Sequence, residues 1–139
     1  MRPLLSRESD ERHAAFSPDG RWIAYSSKQT GRFEVHVRQV TGDAPAVRLS
    51  ADGGTHPLWR GDGQEIFFMS PTDQIIAVDV SSLARTGAAG ERKVLFRMVT
   101  NDLGREAFNS FGVTPDGQRF LLNVPTAPEP VTLIQLPAR

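Results

Sequence analysis

The chain has 139 residues, 16 Lys and Arg against 16 Asp and Glu, and no cysteine. That length predicts about one domain with a modest core, and the charge balance excludes both a basic footprint for nucleic acid and an acidic tail. Absent cysteine excludes disulfides and thiolate chemistry, and no run approaches the roughly 18 apolar residues of a membrane helix.

Residues 1–9 lack the apolar centre of a secretory signal, and the chain start reads as internal to a longer protein. Twelve glycines and ten prolines then divide the sequence into short runs rich in Val, Ile, Phe and Leu, without a helical period. These runs predict strands. The first set covers residues 3–6, 13–16, 22–26, 34–40 and 47–49. The second covers 57–59, 65–69, 75–80 and 93–98. The third covers 109–113, 119–123 and 131–136. Residues 34–38 alternate in polarity, as a half-exposed outer strand should. Ile66-Phe67-Phe68-Met69 and Phe120-Leu121-Leu122 are unbroken apolar runs, suited to sheets covered on both faces.

Three segments align. They are Phe16-Ser17-Pro18-Asp19-Gly20, Trp59-Arg60-Gly61-Asp62-Gly63 and Val113-Thr114-Pro115-Asp116-Gly117, each followed by an apolar run. Each Asp-Gly lies between two predicted strands, where glycine supplies the positive φ of a tight hairpin and Asp bonds the backbone across the turn. The aspartates are 43 and 54 residues apart. The first spacing is that of a propeller blade of about 40–45 residues. The second predicts an insertion, placed at residues 81–91, a small-residue stretch without a core signal.

The fold class is therefore all-β, a β-propeller with three four-stranded blades over residues 11–50, 55–99 and 107–136. With strands named a to d outward from the hub, Asp-Gly joins a to b. Residues 3–6 form a d strand ahead of the first a strand, and the last blade stops at c. Three blades are too few to close a ring, and an open arc leaves apolar faces and a free edge in water. The expected partner is a second copy, forming a six-bladed homodimer in which residues 3–6 complete the other chain's last sheet, or the missing half of a longer chain.

"FSPDGRWIAY" (Phe16 to Tyr25) resembles the repeat of TolB-type, WD-like propellers. "VTPDGQRFLLNVP" (Val113 to Pro125) is similar to the last repeat of propellers at the carboxyl end of large bacterial proteins, some carrying a serine/threonine kinase domain. The resemblance covers nearly the whole chain but rests on a structural motif, which does not select a function. It implies a bacterial protein and a periplasmic or other extracytoplasmic location. The second copy departs from the pattern, with Arg60-Gly61 for Ser-Pro. No kinase motif is present, and the sialidase Asp-box order is not matched.

His13 and His56 lie three residues before Phe16 and Trp59; Ser110 is their third counterpart. With Arg12 and Arg105 they form the candidate binding set at the channel mouth, for an ion or a partner's acidic group. The plainer reading, and the preferred one, is that each imidazole bonds a loop backbone and holds the blade top. Metal sites use three or four ligands, and no metal or cofactor is expected. His36, in an outer strand, is expected to be solvated. Asp19, Asp62 and Asp116 are read as turn formers with Gly20, Gly63 and Gly117, not as a carboxylate set. Ser17, Ser26 and Ser27 have no nucleophile context, so no catalytic residue is assigned. Phe16, Trp59, Phe67, Phe68, Phe111 and Phe120 are expected to pack between blades. Arg32, Asp52, Asp73, Asp102 and Glu106 share a rim with Arg12 and Arg105. Residues 125–130 are expected to form a stiff proline-rich loop. The function expected is a non-catalytic scaffold for protein–protein interaction. The alternative is an enzyme, a hydrolase or lyase, or an accessory domain of one, with its site in the completed channel.

Overall fold

The computed structural model describes residues 9–98, 111–123 and 131–137. The first sheet has the order β1 (Glu11–Phe16), β2 (Trp22–Ser27), β3 (Glu34–Gln39), β4 (Val47–Arg48). The second runs β5 (Thr55–Trp59), β6 (Glu65–Met69), β7 (Gln74–Asp79), β8 (Arg92–Arg97), with one helical turn, α1 (Leu83–Thr86), between β7 and β8. The third holds β9 (Phe111–Val113), β10 (Arg119–Asn123) and β11 (Val131–Gln135), three strands among the described residues. Neighbouring strands are antiparallel throughout. These are consecutive blades of a propeller, each built outward from its first strand. The predicted strand at 3–6, the start of the one at 109–113 and the proline-rich loop lie outside the described residues.

The blades cohere because their middle strands are apolar on both faces. In β6, Ile66 and Phe68 join Ala24, Val35, Val37 and Leu49 in the core between blades 1 and 2. Phe67 and Met69 point the other way and meet Phe111, Phe120 and Leu122 of blade 3. Period-two alternation in an all-apolar strand thus feeds two cores at once. Each such side chain stabilises by about 1.5–3 kcal/mol on burial. Phe120 is the centre of the second core, with Phe67 edge-on at 5.1 Å and Phe96 edge-on at 5.4 Å. At the axis the inner strands touch in series, β1 on β5 and β5 on β9. No helix among the described residues is long and apolar enough to cross a membrane.

Four expectations are corrected. Residues 81–91 do carry a core residue, since Leu83 of α1 is buried between blades 1 and 2. A lone leucine among small polar residues has no periodicity to reveal it. Phe16 does not pack between blades but is 61% exposed, because no described blade precedes the first. β3 is more enclosed than its alternation implies, with Glu34, Val35 and Val37 all buried. β4 pairs along its edge and blade 2 covers one face. Nor is His36 solvated. It is half-buried, its ring stacked 5.8 Å from Tyr25 and its Nδ1 3.3 Å from the Glu34 carbonyl oxygen, and burial lowers its pKa.

The irregular second repeat has a packing reason. Gly61 stands where the other copies have proline, so it keeps an N–H, which donates to the Pro115 carbonyl of blade 3 at 2.8 Å. A Cβ at Gly61 would lie 2.8 Å from Pro115 Cβ and 2.9 Å from its oxygen. The second copy thus gives up the usual turn residue to bring two blades together. Gly61→Ala should cost about 1–3 kcal/mol through overpacking at this seam. Urea unfolding checks this. Gly20→Ala is the comparator: it adds only backbone strain, because no atom lies within 4 Å of the added carbon.

Candidate functional site

The three Asp-Gly turns sit on one rim. In each, aspartate Oδ1 accepts from the backbone N–H two residues on, at 3.0 Å: Arg21 for Asp19, Gln64 for Asp62 and Gln118 for Asp116. Gly20, Gly63 and Gly117 have φ of 72°, 71° and 71°. A second donor locks each carboxylate. Ser17 Oγ donates to Asp19 at 2.6 Å, Thr114 Oγ1 to Asp116 at 2.6 Å, and Arg60 Nε to Asp62 at 2.8 Å. Arg60 therefore takes over the hydroxyl's role in the divergent copy and also reaches Glu65 at 3.3 Å. Each aspartate thus bonds the backbone of its own turn. A cavity of about 200 Å³ opens between the first two turns, walled by Trp22, Trp59 and Leu83.

The opposite rim holds the histidines. Both inner strands bulge at equivalent points, between Arg12 and Ala15 in β1 and between Thr55 and Leu58 in β5. The bulges put His13 and His56 at φ 54° and 55°, a left-handed conformation uncommon for residues other than glycine. The result is a stack across the seam, with ring centroids 3.7 Å apart and planes inclined by 27°. His56 Nδ1 lies 3.0 Å from Thr55 Oγ1. Burial, then the neighbouring His56 and Arg12, lower the pKa of His13. The sequence places the two histidines at matching positions; only the bulges show that they touch. Arg12 itself pairs with Asp10 at 2.7 Å and lies over the Phe33 ring at 5.3 Å. Ser110, Arg105, Asp102 and Glu106 lie outside the described residues. Among the described residues no three metal-binding side chains converge.

Further out on this rim is a residue the sequence did not single out. The Glu34 carboxylate, 1% exposed, accepts from Ser50 Oγ, from Gly53 N–H at 3.0 Å and from Arg32 Nε at 2.8 Å. Burial pushes this carboxyl up, but the bonds from Ser50, Arg32 and Gly53 together outweigh it and hold it below its ordinary value. Glu34 thereby fixes the connection from blade 1 to blade 2. Beside that connection runs a groove of about 300 Å³ whose walls include Phe68, Pro71, Ile76 and Val94, with Arg92 and Lys93 at its lip.

Comparison with known proteins supports the fold. No family model matches the chain. An uncharacterized protein of Agrobacterium fabrum is 28% identical over an alignment of 114 residues that covers 76% of this chain and 36% of that protein. Among solved structures, a TolB-like protein of Agrobacterium tumefaciens superposes with a TM-score of 0.69 at 16% identity, over 94% of this chain and 47% of its own. TolB of Acinetobacter baumannii gives 0.65 at 16%, over 91% and 29%. Oligogalacturonate lyase of Vibrio parahaemolyticus gives 0.63 at 15%, over 86% and 31%. The chain has the TolB-type propeller fold, and it spans less than half the length of each of these proteins.

Two predictions follow from the rims. The pKa values of Asp19, Asp62 and Asp116 are lowered, first by the bonds from Ser17, Arg60 and Thr114. Carboxyls depressed in the folded state contribute stability above their ordinary value of 3.8 and lose it as pH falls through the lower folded values. Replacing all three by Asn should keep the turn acceptors but flatten the loss of melting temperature between about pH 5 and about pH 2. Glu34→Ala, which strands Ser50 and the Gly53 N–H, should cost about 1.5–3 kcal/mol in urea unfolding.

Proposed function

We propose that the chain is a non-catalytic β-propeller scaffold for protein–protein interaction, forming half of a six-bladed ring. The remaining blades come from a second copy or from the rest of a longer polypeptide. The observation that carries this reading is the condition of the two ends of the blade series. Phe16 occupies the position of Trp59, whose indole N–H bonds the preceding blade at Ala15 O, 3.0 Å away, yet Phe16 is 61% exposed. Leu121 occupies the position of Phe67, fully buried against blade 3, yet Leu121 is 47% exposed. Both ends present large apolar side chains that interior blades cover. In a two-fold ring, blade 3 of each copy faces blade 1 of the other, and residues 3–6 supply the fourth strand beside β11.

The partner-binding rim in this reading is the one bearing His13, His56 and Arg12, to which Ser110 and Arg105 belong by sequence position. The apolar groove lies on the same rim, further from the axis, and loops held by a rigid scaffold commonly carry binding. The competing reading is an enzyme with its site in the completed channel. It draws on the two left-handed histidines, because strained backbone gathers at active sites.

Sedimentation equilibrium of the 139-residue chain should return twice the monomer mass. Phe16→Asp and Leu121→Asp should each weaken association about tenfold or more, with the strand signal in circular dichroism retained. A stable monomer at all concentrations overturns self-assembly.

A further inference from the structure

The stacked imidazoles have a consequence that neither a scaffold nor a closed ring requires. The rings are 3.7 Å apart, on the two strands that hold blades 1 and 2 together at the axis. Neutral rings stack favourably at this distance. Two imidazolium rings repel, because like charges this close disfavour double ionisation.

The surrounding charges do not relieve that repulsion for His13. The strands packed on β1 and β5 carry the following charged or titratable groups among the described residues. Arg12 on β1 adds to the positive field on His13. Glu11 on β1 accepts from Ser9 Oγ at 3.3 Å and feels the charge of Arg38 on β3. Glu34 of β3 is held by Ser50, Gly53 and Arg32, and His36 of β3 lies against Tyr25 of β2. Glu65 of β6 pairs with Arg60. β9 carries none.

We infer that the His13–His56 stack is an acid-sensitive latch on the seam between blades 1 and 2, closed while it holds at most one proton and opened by the second. The sign agrees with the His13 environment. Its pKa lies below the ordinary 6.5, so the unfolded chain takes the proton more readily, and stability falls as pH drops from above that value toward the folded one. The built-in reporter is Trp59. Its indole N–H bonds Ala15 O at 3.0 Å, two residues along β1 from His13, so parting the inner strands must change its environment.

The test is an imidazole titration by NMR on the 139-residue chain, with Trp emission followed over the same pH range. Asn is the replacement of choice, because it tolerates left-handed backbone better than other side chains. The expected result has three parts. His13 titrates below the ordinary range in the parent chain. His56→Asn moves it upward. Trp emission changes at the same midpoint as His13 in the parent chain and loses that change in His13→Asn, while His36→Asn alters neither. A His13 midpoint unmoved by His56→Asn overturns the latch, and so does Trp emission that is flat with pH. Should an Asn variant fail to fold, the parent chain decides: coincident midpoints support the latch, and separate ones overturn it. The measurement involves no partner protein, so its failure leaves the scaffold reading untouched.

Discussion

A strand apolar on both faces cannot end a structure; it has to be sandwiched. That constraint, met in β6 by Ile66 and Phe68 on one side and Phe67 and Met69 on the other, organises the whole chain. It sets the blades in series and turns their inner strands toward a common axis. It also leaves Phe16 and Leu121 on the outside at the two ends. Sheets that face water on one side alternate in polarity instead.

Two kinds of device keep the blades in register. Within a blade, the Asx turn fixes the hairpin from first to second strand, and its aspartate is held by whatever donor lies two residues before it. A hydroxyl or a guanidinium serves equally well, as Ser17, Thr114 and Arg60 show. Between blades the bonds are individual. Trp59 reaches Ala15, Arg92 reaches Leu49 O at 3.1 Å, and Gly61 reaches Pro115. Each joins one particular pair of blades, so the repeats are equivalent in their hairpins and distinct at their seams.

The two rims differ for the same reason. Where the Asp-Gly turns lie, carboxylates are occupied by the turns they build. On the other rim the chain passes from blade to blade. There it accepts less regular solutions: bulges with left-handed histidines, and a buried glutamate acting as the anchor of a loop. Irregular backbone costs free energy, and that cost is met twice on this rim, at His13 and His56.

The propeller architecture, the hairpin turns and nearly every described strand were legible in the sequence. A repeated Asp-Gly before an apolar run is a local signal, written within a few residues. What lay beyond reach depends on distant partners. Leu83 joins a core that also draws on Ala24, Val35, Val37 and Leu49 of blade 1, far along the chain, and Glu34 is buried by Ser50 and Gly53. Gly61 is small because Pro115 approaches it. The matching of His13 and His56 could be read from spacing, but their contact could not. It comes from two bulges and the angle between neighbouring blades, and only the packed tertiary structure decides that angle.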